Sequence, residues 1–550
     1  MKRYNSYFKI LAAFIVTVIF GSCTKLEQRL NSSLTNEQAA NALGANGTQL
    51  LLQTAYNDVG NPYSDPGNIF ALEEVTADMC VVPTRAGDWD DNGKWRALKK
   101  HTWQADGVDV IIGQYNALNK LNFDATNVLA FGPTNAQAAE ARFLRALAVY
   151  QLLDLFGQVP IRNPGDNLLN APEVLSGEDA VQFIISELNA AIPDLSATAP
   201  SNIANKDAAN FLLMKTYLNH GAFVNREAPT FSDADMQQVI NLGTAMMNSG
   251  KYSYGTKYFD IFSPHNSTTS EAIFSFANTA GVSTNNSRID NRWWATLHYN
   301  QYTPRNPQAG WNGFSTVADF YNSFGVGAPT TQTPADTLLD TRIGGRFYKG
   351  CTDISGVRPG LLIGQQYNEK GEAIKDRKGN LLKFDPNIVE DLKETGNDLE
   401  IKGIRVIKYV PDYSGGGANY SEKAGNWLIL FRYAEVVLMV AEAKMRAAAP
   451  DNAGALALVN ELRAARGAAP MVAPMALVNP SNVADKTTLL AERGRELYWE
   501  VVRRTDLIRF GVFLNAWYLK PATDKKYLLF AIPSSALAAN PNLTQNPGYN

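Results

Sequence analysis

The segment EARFLRALAVYQLLDLFGQVP, residues 140–160, decides the fold of this chain. Its apolar residues cover more than one helical face, which predicts a long helix that is buried on two sides. Gly157 and Pro160 should end this helix, because glycine accepts the left-handed conformation of a C-terminal cap and proline cannot continue a helix. Such a helix needs neighbours on both flanks, so the segment predicts a mainly helical protein.

Further amphipathic segments with capping signals flank this helix on both sides. Ser176 and Ser232 are predicted N-caps, and Gly221 is predicted to end a helix. Helical hairpins at this spacing are typical of tetratricopeptide-like repeats, which bury their apolar faces by stacking. The predicted helices cover residues 181–192, 207–220, 233–248, 433–448 and 452–466.

A different kind of sequence separates the two helical parts. Residues 261–425 carry clusters of Gly, Pro, Asn and Thr, with a predicted hairpin at 378–380 and an extended segment at 404–409. We therefore predict a tetratricopeptide-like helical scaffold with a large irregular insert that contains short strands. Within one domain at 35–550, the parts would be 35–260, the insert at 261–425, and 426–550. Long ordered loops in compact proteins are usually functional, so the insert is the predicted ligand-binding part.

The first residues have the pattern of an export signal. Three basic residues precede the apolar run 10–20, which is too short to span a bilayer, and Gly21-Ser22-Cys23 follows it. A cysteine behind small residues resembles the lipobox of bacterial lipoproteins. We predict a signal peptide at 1–22, acylation of Cys23, and a polar tether at 23–34. An ordinary secretory signal with an incidental cysteine is the alternative.

Composition narrows the classes of partner. Of the 550 residues, 45% are hydrophobic, which is enough for a sizeable core, and the net charge is -3. With a pI near 6.0, the chain has no long-range positive field, which disfavours nucleic acid and anionic lipid as partners. Cys80 and Cys351 could pair in an oxidising compartment or remain two buried thiols.

Four segments form a recognisable series along the chain: residues 140–160, Phe431-Arg432-Tyr433-Ala434-Glu435, residues 492–497, and the closing segment 529–550, which ends in Asn546-Pro547-Gly548-Tyr549-Asn550. In this order they resemble the SusD/RagB family. The sequence departs from the family pattern at Val501-Val502, where a Gly-His pair is common, and at Ile111, where a Trp is usual.

The resemblance implies a lipid-anchored, surface-exposed protein of the outer membrane. It implies an oligosaccharide ligand, a SusC-like TonB-dependent transporter as partner, no cofactor and no catalysis. A peptide ligand, as in RagB-type uptake, is the nearest alternative. A lipid-anchored glycoside hydrolase is the rival from another class, and it would need two carboxylates that converge in a cleft.

The residues themselves offer little for catalysis or metal binding. Glu492 and Glu496, or Glu435 and Glu442, share helix faces, but nearby arginines favour ion pairs over acid catalysis. Asp88-x-Asp90-x-Asn92-Gly93 copies the start of a calcium loop, yet its twelfth place is Lys99. We therefore predict no catalytic residue and no metal site.

Binding is better supported, because two loop regions concentrate aromatic and polar residues. Sugar rings stack their apolar faces on aromatic side chains, while charged and amide groups bond the hydroxyls. Each aromatic residue could equally be a packing anchor. If both clusters belong to one binding surface, they must share a face of the protein. The candidate ligand-binding residues are Arg85, Asp88, Trp89 and Trp95 in the first cluster, and Trp293, Trp294, Tyr299, Tyr302 and Trp311 in the second, next to Arg292.

Overall fold

The computed structural model describes residues 46–280, 288–301, 310–325, 340–344, 358–368, 370–395, 400–411 and 424–549. The predictions for Cys23, Tyr302 and Cys351 lie outside these residues. Residues Thr48–Asn550 form one compact unit. Its helices are α1 (beginning at Gly47 and ending at Ser64), α2 (Lys94–Lys100), α3 (Asp109–Ala130), α4 (Asn135–Phe156), α5 (Gly177–Ala191), α6 (Lys206–Val224), α7 (Asp233–Asn248), α8 (Asn291–Trp294), α9 (Ala318–Asn322), α10 (Tyr433–Arg446), α11 (Asn452–Ala465), α12 (Leu489–Leu497), α13 (Arg503–Arg509) and α14 (Ser534–Ala539).

The strands are short and pair two by two. Apart from β1 with β8, the pairs are antiparallel. The predicted mainly helical fold with short strands is therefore confirmed. The strands are β1 (Thr84–Arg85), β2 (Gln158–Ile161), β3 (Glu173–Ser176), β4 (Ala272–Phe276), β5 (Gly360–Leu362), β6 (Gly364–Gln365), β7 (Lys383–Phe384), β8 (Lys393–Glu394), β9 (Arg405–Ile407) and β10 (Leu428–Arg432).

Helix α4 is the buried helix that residues 140–160 predict. Thr134 and Gln137 form a capping box at its start, and Gly157 ends it with φ 72°. Every residue of α4 from Phe143 to Phe156 is buried, because the helix packs between α3 and α5. Burial on several faces explains why its apolar residues follow no single stripe.

One predicted helix end is wrong, and one predicted N-cap lacks its side-chain hydrogen bond. Ser176 is the N-cap residue of α5, as predicted, but its hydroxyl makes no capping hydrogen bond, and the residue also pairs with Gln158 as the last residue of β3. Gly221 does not end α6, which continues to Val224. A Cβ on Gly221 would lie 1.6 Å from the carbonyl oxygen of Thr230, so this glycine serves a close backbone approach.

The helices stack in sequence, and the stack resumes after the insert. Helices α3 to α7 each pack on the next, and α10 then packs on α7 and on α11. Gly243 allows the close approach of α7 to α10, since a Cβ there would lie 2.2 Å from a methyl group of Val440. The C-terminal helical hairpin thus extends the N-terminal stack, although the insert separates them in sequence.

Strands β4 and β10 join the two ends of the insert. They pair antiparallel, with Phe274 opposite Phe431. Phe431 stacks on Phe211 of α6 at 4.4 Å between ring centroids, and Phe274 meets Phe143 of α4 edge-on at 4.8 Å. This aromatic cluster fixes the insert to the helical stack.

Within the insert, the described residues contain the predicted hairpin. Strands β6 and β7 pair, and the connection turns at Asp376, whose carboxylate accepts hydrogen bonds from the backbone of Lys378 and Asn380. The predicted extended segment at 404–409 contains β9, which pairs with β5. Both elements lie where the sequence placed them.

The C-terminal segment has little regular structure and is held by side-chain hydrogen bonds. The amide of Asn546 donates to the carbonyl oxygens of Phe156 (2.9 Å) and Phe530 (2.6 Å). The Trp103 indole donates to the hydroxyl of Tyr549 at 2.7 Å. The tail therefore closes over the end of α4, which explains its Asn-rich composition.

Candidate functional site

The first aromatic loop has an unusual backbone. Ala86, Trp89, Asp91 and Asn92 all have φ between 40° and 60°, a region that residues other than glycine rarely adopt. Such conformations persist only where the surroundings hold them, and they cluster at functional sites. The loop is held on one side by the pairing of β1 with β8.

Arg85 connects this loop to the insert rather than to solvent. Its side chain is buried, forms an ion pair with Glu394, and donates to the carbonyl oxygens of Asn312 and Lys402. Burial lowers the pKa of Arg85, which the Glu394 carboxylate partly offsets. Arg85 therefore supports the loop from below, and the prediction that it bonds a ligand does not fit its position.

Trp89 and Trp311 bring the two predicted clusters together. The Trp89 indole N–H donates to the backbone oxygen of Trp311 at 2.6 Å. The Trp89 ring packs against Trp95 at 5.7 Å and edge-on against Phe314 at 5.5 Å. Trp89 and Trp311 are both partly exposed, whereas Trp95 is only 4% exposed and donates to Asp91. Trp95 thus supports the Trp89 ring from the core.

A second contact between the clusters involves Asp88. The Tyr299 hydroxyl donates to the exposed Asp88 carboxylate at 2.5 Å. Burial raises the pKa of Tyr299, and the neighbouring Asp88 raises it further, so the phenol stays protonated at neutral pH. The guanidinium of Arg377 lies 3.9 Å from the Tyr299 ring centroid. Tyr299 is therefore held between an acid and a cation.

Arg377 and Asn300 belong to this surface, although the sequence did not single them out. The Arg377 side chain is 48% exposed, and its Nε donates to Glu400 at 2.6 Å. Burial alone would raise the pKa of Glu400, but hydrogen bonds from His298 and Arg377 hold it at about 2. Asn300 donates to the backbone oxygen of Lys375 at 2.8 Å. Arg377 directly precedes the hairpin predicted at 378–380, and this position is the sequence signal that could have identified it as a site residue.

We call Trp89, Tyr299 and Trp311, with Asp88, Asn300 and Arg377, the aromatic surface. Its rings are partly exposed and hydrogen-bonding groups flank them, an arrangement that suits a ligand with apolar faces and hydroxyl groups.

Trp293 and Trp294 do not reach the aromatic surface with their rings. Each is 1% exposed and lies in the main hydrophobic core. Their helix, α8, is anchored by Arg292, which donates to the backbone oxygens of Tyr63 and Ser64 and lies over the Phe70 ring. The backbone oxygen of Trp294 accepts a hydrogen bond from the Trp311 amide at 2.7 Å. These residues therefore position Trp311 from within the core.

The carboxylates that could imitate a glycosidase pair are buried in ion pairs. Glu496 accepts from Arg432, Arg466 and Arg342 at 2.7, 2.8 and 3.0 Å. Glu442 accepts both ends of the Arg509 guanidinium at 2.8 and 2.9 Å. Both acids are 0% exposed, so neither presents an oxygen to solvent.

The described residues contain no group of three or more His, Cys, Asp or Glu side chains that could hold a metal ion. In the calcium-like string, Asp90 instead pairs with Arg96 at 2.7 Å. Cys80 is a buried free thiol, and burial raises its pKa. In the part of the chain described, no helix combines the length and apolarity needed to cross a bilayer.

Comparison with known proteins identifies the family. A family model described as the SusD family matches residues 270–549, which is just over half of the chain. The chain belongs to the SusD family. The Starch-binding protein SusD of Bacteroides thetaiotaomicron is 26% identical over 510 residues, covering 87% of this chain and 85% of its own.

Solved SusD structures extend the likeness to the N-terminal half. A SusD superfamily protein from Parabacteroides distasonis has a TM-score of 0.63 at 20% identity, covering 94% of this chain and all of its own. A laminarin binding SusD-like protein has a TM-score of 0.64 at 18% identity, covering 91% and 99%. These likenesses show the SusD fold for the whole described chain. The predicted membership of the SusD/RagB family is confirmed.

Proposed function

We propose that this SusD-family protein binds oligosaccharides on the aromatic surface without altering them. The observation that carries the proposal is the convergence of two loops more than 200 residues apart, through Trp89 with Trp311 and Asp88 with Tyr299. Partly exposed rings offer faces to pyranose rings, while Asp88, Asn300 and Arg377 offer hydrogen bonds to hydroxyl groups. A family relative named for starch and a structural neighbour named for laminarin support a glucan as the first ligand to test.

Affinity measurements on single variants test this function. Trp89→Ala and Trp311→Ala should each weaken binding of soluble starch or laminarin by about ten- to hundredfold, which corresponds to about 1 to 3 kcal/mol for a lost aromatic contact. Their melting temperatures should change little. Trp103→Ala is the matched control: it should lower the melting temperature, because it empties a buried site among His101, Tyr527 and Phe530, while folded protein still binds.

Unchanged affinity in both Trp89→Ala and Trp311→Ala would remove the aromatic surface as the glycan site. Binding of unstructured peptides in preference to any polysaccharide would instead favour the RagB-type alternative. Release of reducing ends from either glucan would contradict a purely binding role.

We further propose that the protein is anchored to the outer membrane through Cys23 and delivers its ligand to a SusC-like TonB-dependent transporter. The signal pattern at residues 1–22, the small residues before Cys23 and membership of the SusD family support this arrangement. Several acyl chains on one cysteine would make the attachment stable.

Cell fractionation tests the anchor. Cys23→Ala should move the protein from the membrane fraction to the soluble fraction, because no acyl chain would remain to hold it. Cys80→Ala is the control, since Cys80 is buried and should not affect attachment. Retention of Cys23→Ala in membranes after high-salt washing would contradict lipid anchoring. Co-purification of the wild-type protein with a TonB-dependent transporter would test the partner.

A further inference from the structure

Gly313 lies directly beneath the Trp89 indole. A Cβ built on Gly313 would lie 2.3 Å from Cε2, 2.4 Å from Cζ2 and 2.7 Å from Cδ2 of Trp89. Those distances are far inside van der Waals contact, and all three atoms belong to the ring itself. The indole therefore rests on the bare Cα of this glycine.

The backbone at position 313 does not itself require glycine. Gly313 is not among the residues with positive φ, so an alanine could adopt its conformation without strain. The nearest atoms to a Cβ at this position are all in the ring of Trp89. Gly87, in the loop that carries Trp89, also lacks positive φ, but a Cβ there would meet nothing within 4 Å. The two glycines thus differ in their surroundings: a Cβ on Gly313 would clash with an aromatic ring, whereas a Cβ on Gly87 would not clash.

Hydrogen bonds and packing hold both the backbone at Gly313 and the Trp89 ring in place. On the glycine side, the amides of Asn312, Gly313 and Phe314 each donate at 2.8 Å to backbone oxygens of residues 295 and 297. On the indole side, the ring donates to the oxygen of Trp311 and packs against Trp95 and Phe314. A methyl group on residue 313 would displace the Trp89 indole from its position and break its hydrogen bond to the backbone oxygen of Trp311.

We propose that Gly313 is a positioning residue of the aromatic surface. By lacking a side chain, it sets the depth and tilt of the Trp89 ring relative to Trp311 and Tyr299. Its effect on ligand affinity rests on the proposed function, whereas its effect on the Trp89 ring does not.

The test compares Gly313→Ala, Gly87→Ala, Trp89→Ala and the double variant Trp89→Ala/Gly313→Ala. In a ligand-free crystal structure of Gly313→Ala, the Trp89 indole should be displaced and its hydrogen bond to Trp311 lost. Affinity for soluble starch or laminarin should fall about tenfold or more, comparable to Trp89→Ala, while Gly87→Ala should bind like the wild type.

The double variant separates the steric effect from a general loss of folding. Once Trp89 is alanine, a methyl group at position 313 has room, so the Gly313→Ala change should no longer lower the melting temperature or the affinity. This non-additivity is the signature of two residues in contact. It remains measurable if Gly313→Ala alone folds poorly.

Two results would overturn the proposal: a Trp89 ring that keeps its place and its hydrogen bond in Gly313→Ala, or an equal loss of stability from Gly313→Ala with and without Trp89. A displaced ring in Gly313→Ala, combined with unchanged glucan affinity in Trp89→Ala, would support the role of Gly313 in positioning Trp89. It would reject the aromatic surface as the glycan site. The two proposals therefore fail on different measurements.

Discussion

Gly221 occupies a helix interior, where glycine is usually unfavourable. Glycine costs roughly 0.5 to 1 kcal/mol relative to alanine at such a position, because it loses more backbone freedom on folding. Here the cost is offset by the approach of Thr230, whose carbonyl oxygen lies where a Cβ would stand. Gly221 therefore does not mark a helix end. It allows the contact between α6 and the loop before α7.

Two glycine substitutions of identical chemistry should therefore act in opposite directions. Gly221→Ala should destabilise the protein by about 1 to 3 kcal/mol through overpacking. Gly113→Ala, at an exposed position in α3 with nothing within 4 Å, should stabilise it by about 0.5 to 1 kcal/mol. Chemical denaturation of both variants measures these shifts. Shifts of the same sign would contradict the role assigned to Gly221.

The sequence identified some residues of the candidate site and missed others, because exposure of a side chain in the folded protein is not encoded by residue type. Trp89 and Trp293 look alike in sequence, yet one is partly exposed and the other lies in the core. Their exposure depends on long-range contacts, such as that of Trp89 with Trp311, which no local pattern encodes. Arg377 was missed because its place beside Tyr299 likewise arises only in the folded chain.

At the scale of elements, His220 links three successive helices. Its Nδ1 lies 2.9 Å from Asp235 at the start of α7, and its Nε2 lies 2.8 Å from Glu178 at the start of α5. The hydrogen bond with Asp235, helped by Glu178 and opposed by burial, raises the pKa of His220 to about 9. The charged imidazole therefore ties α6 to both neighbours.

The raised pKa predicts a loss of stability at alkaline pH. In the unfolded chain His220 titrates near its ordinary value of about 6.5, so its contribution is complete below that pH and is lost as pH rises towards 9. Between pH 6.5 and 9.5, the melting temperature of the wild type should fall more than that of His220→Gln. His265→Gln, at an exposed histidine outside this cluster, should behave like the wild type. Equal falls in the melting temperatures of the wild type and His220→Gln would contradict a stabilising role for the ion pairs of His220 with Asp235 and Glu178.

Helices were the most predictable elements, because their caps and periodicity are local. The boundaries of α4, α7, α10 and α11 follow the sequence within a few residues, and Ser232 caps α7 as expected. The pairing of β4 with β10 was not predictable, since it joins segments separated by about 150 residues. Strand pairing of that kind depends on the packed core rather than on either segment alone.

At the scale of the whole molecule, a buried charge network connects the insert to the C-terminal helices. Arg342 in the insert bonds both Glu492 and Glu496 of α12. Glu271, just before β4, pairs with Arg466 after α11 and Arg432 at the end of β10. Removing one member of such a network leaves a buried charge without its partner, which is strongly destabilising.

The network predicts acid sensitivity. Burial alone would raise the pKa of Glu492, but Arg342, Arg495 and Arg463 hold it at about 2. A carboxylate with a lowered pKa contributes stability above its unfolded value of about 4.3, and this contribution is lost as pH falls towards 2. Glu492→Gln should thus cost about 3 to 5 kcal/mol at pH 7 and distinctly less at pH 3.

Urea unfolding at both pH values measures this difference. Glu390→Gln, at an exposed acid, is the control and should change stability little at either pH. A cost for Glu492→Gln that is equal at pH 7 and pH 3 would show that the ion pairs do not govern acid stability.

The central claim is that a SusD-family scaffold brings two distant loops together to form one glycan-binding surface. A crystal structure with a bound maltooligosaccharide or laminarin oligosaccharide tests it most directly. The account predicts sugar rings against Trp89 and Trp311, with hydroxyl groups bonded to Asp88, Asn300 or Arg377. An oligosaccharide bound elsewhere, such as in the cleft of about 440 Å³ lined by Val224, Glu227 and Lys525, with the aromatic surface empty, would contradict it.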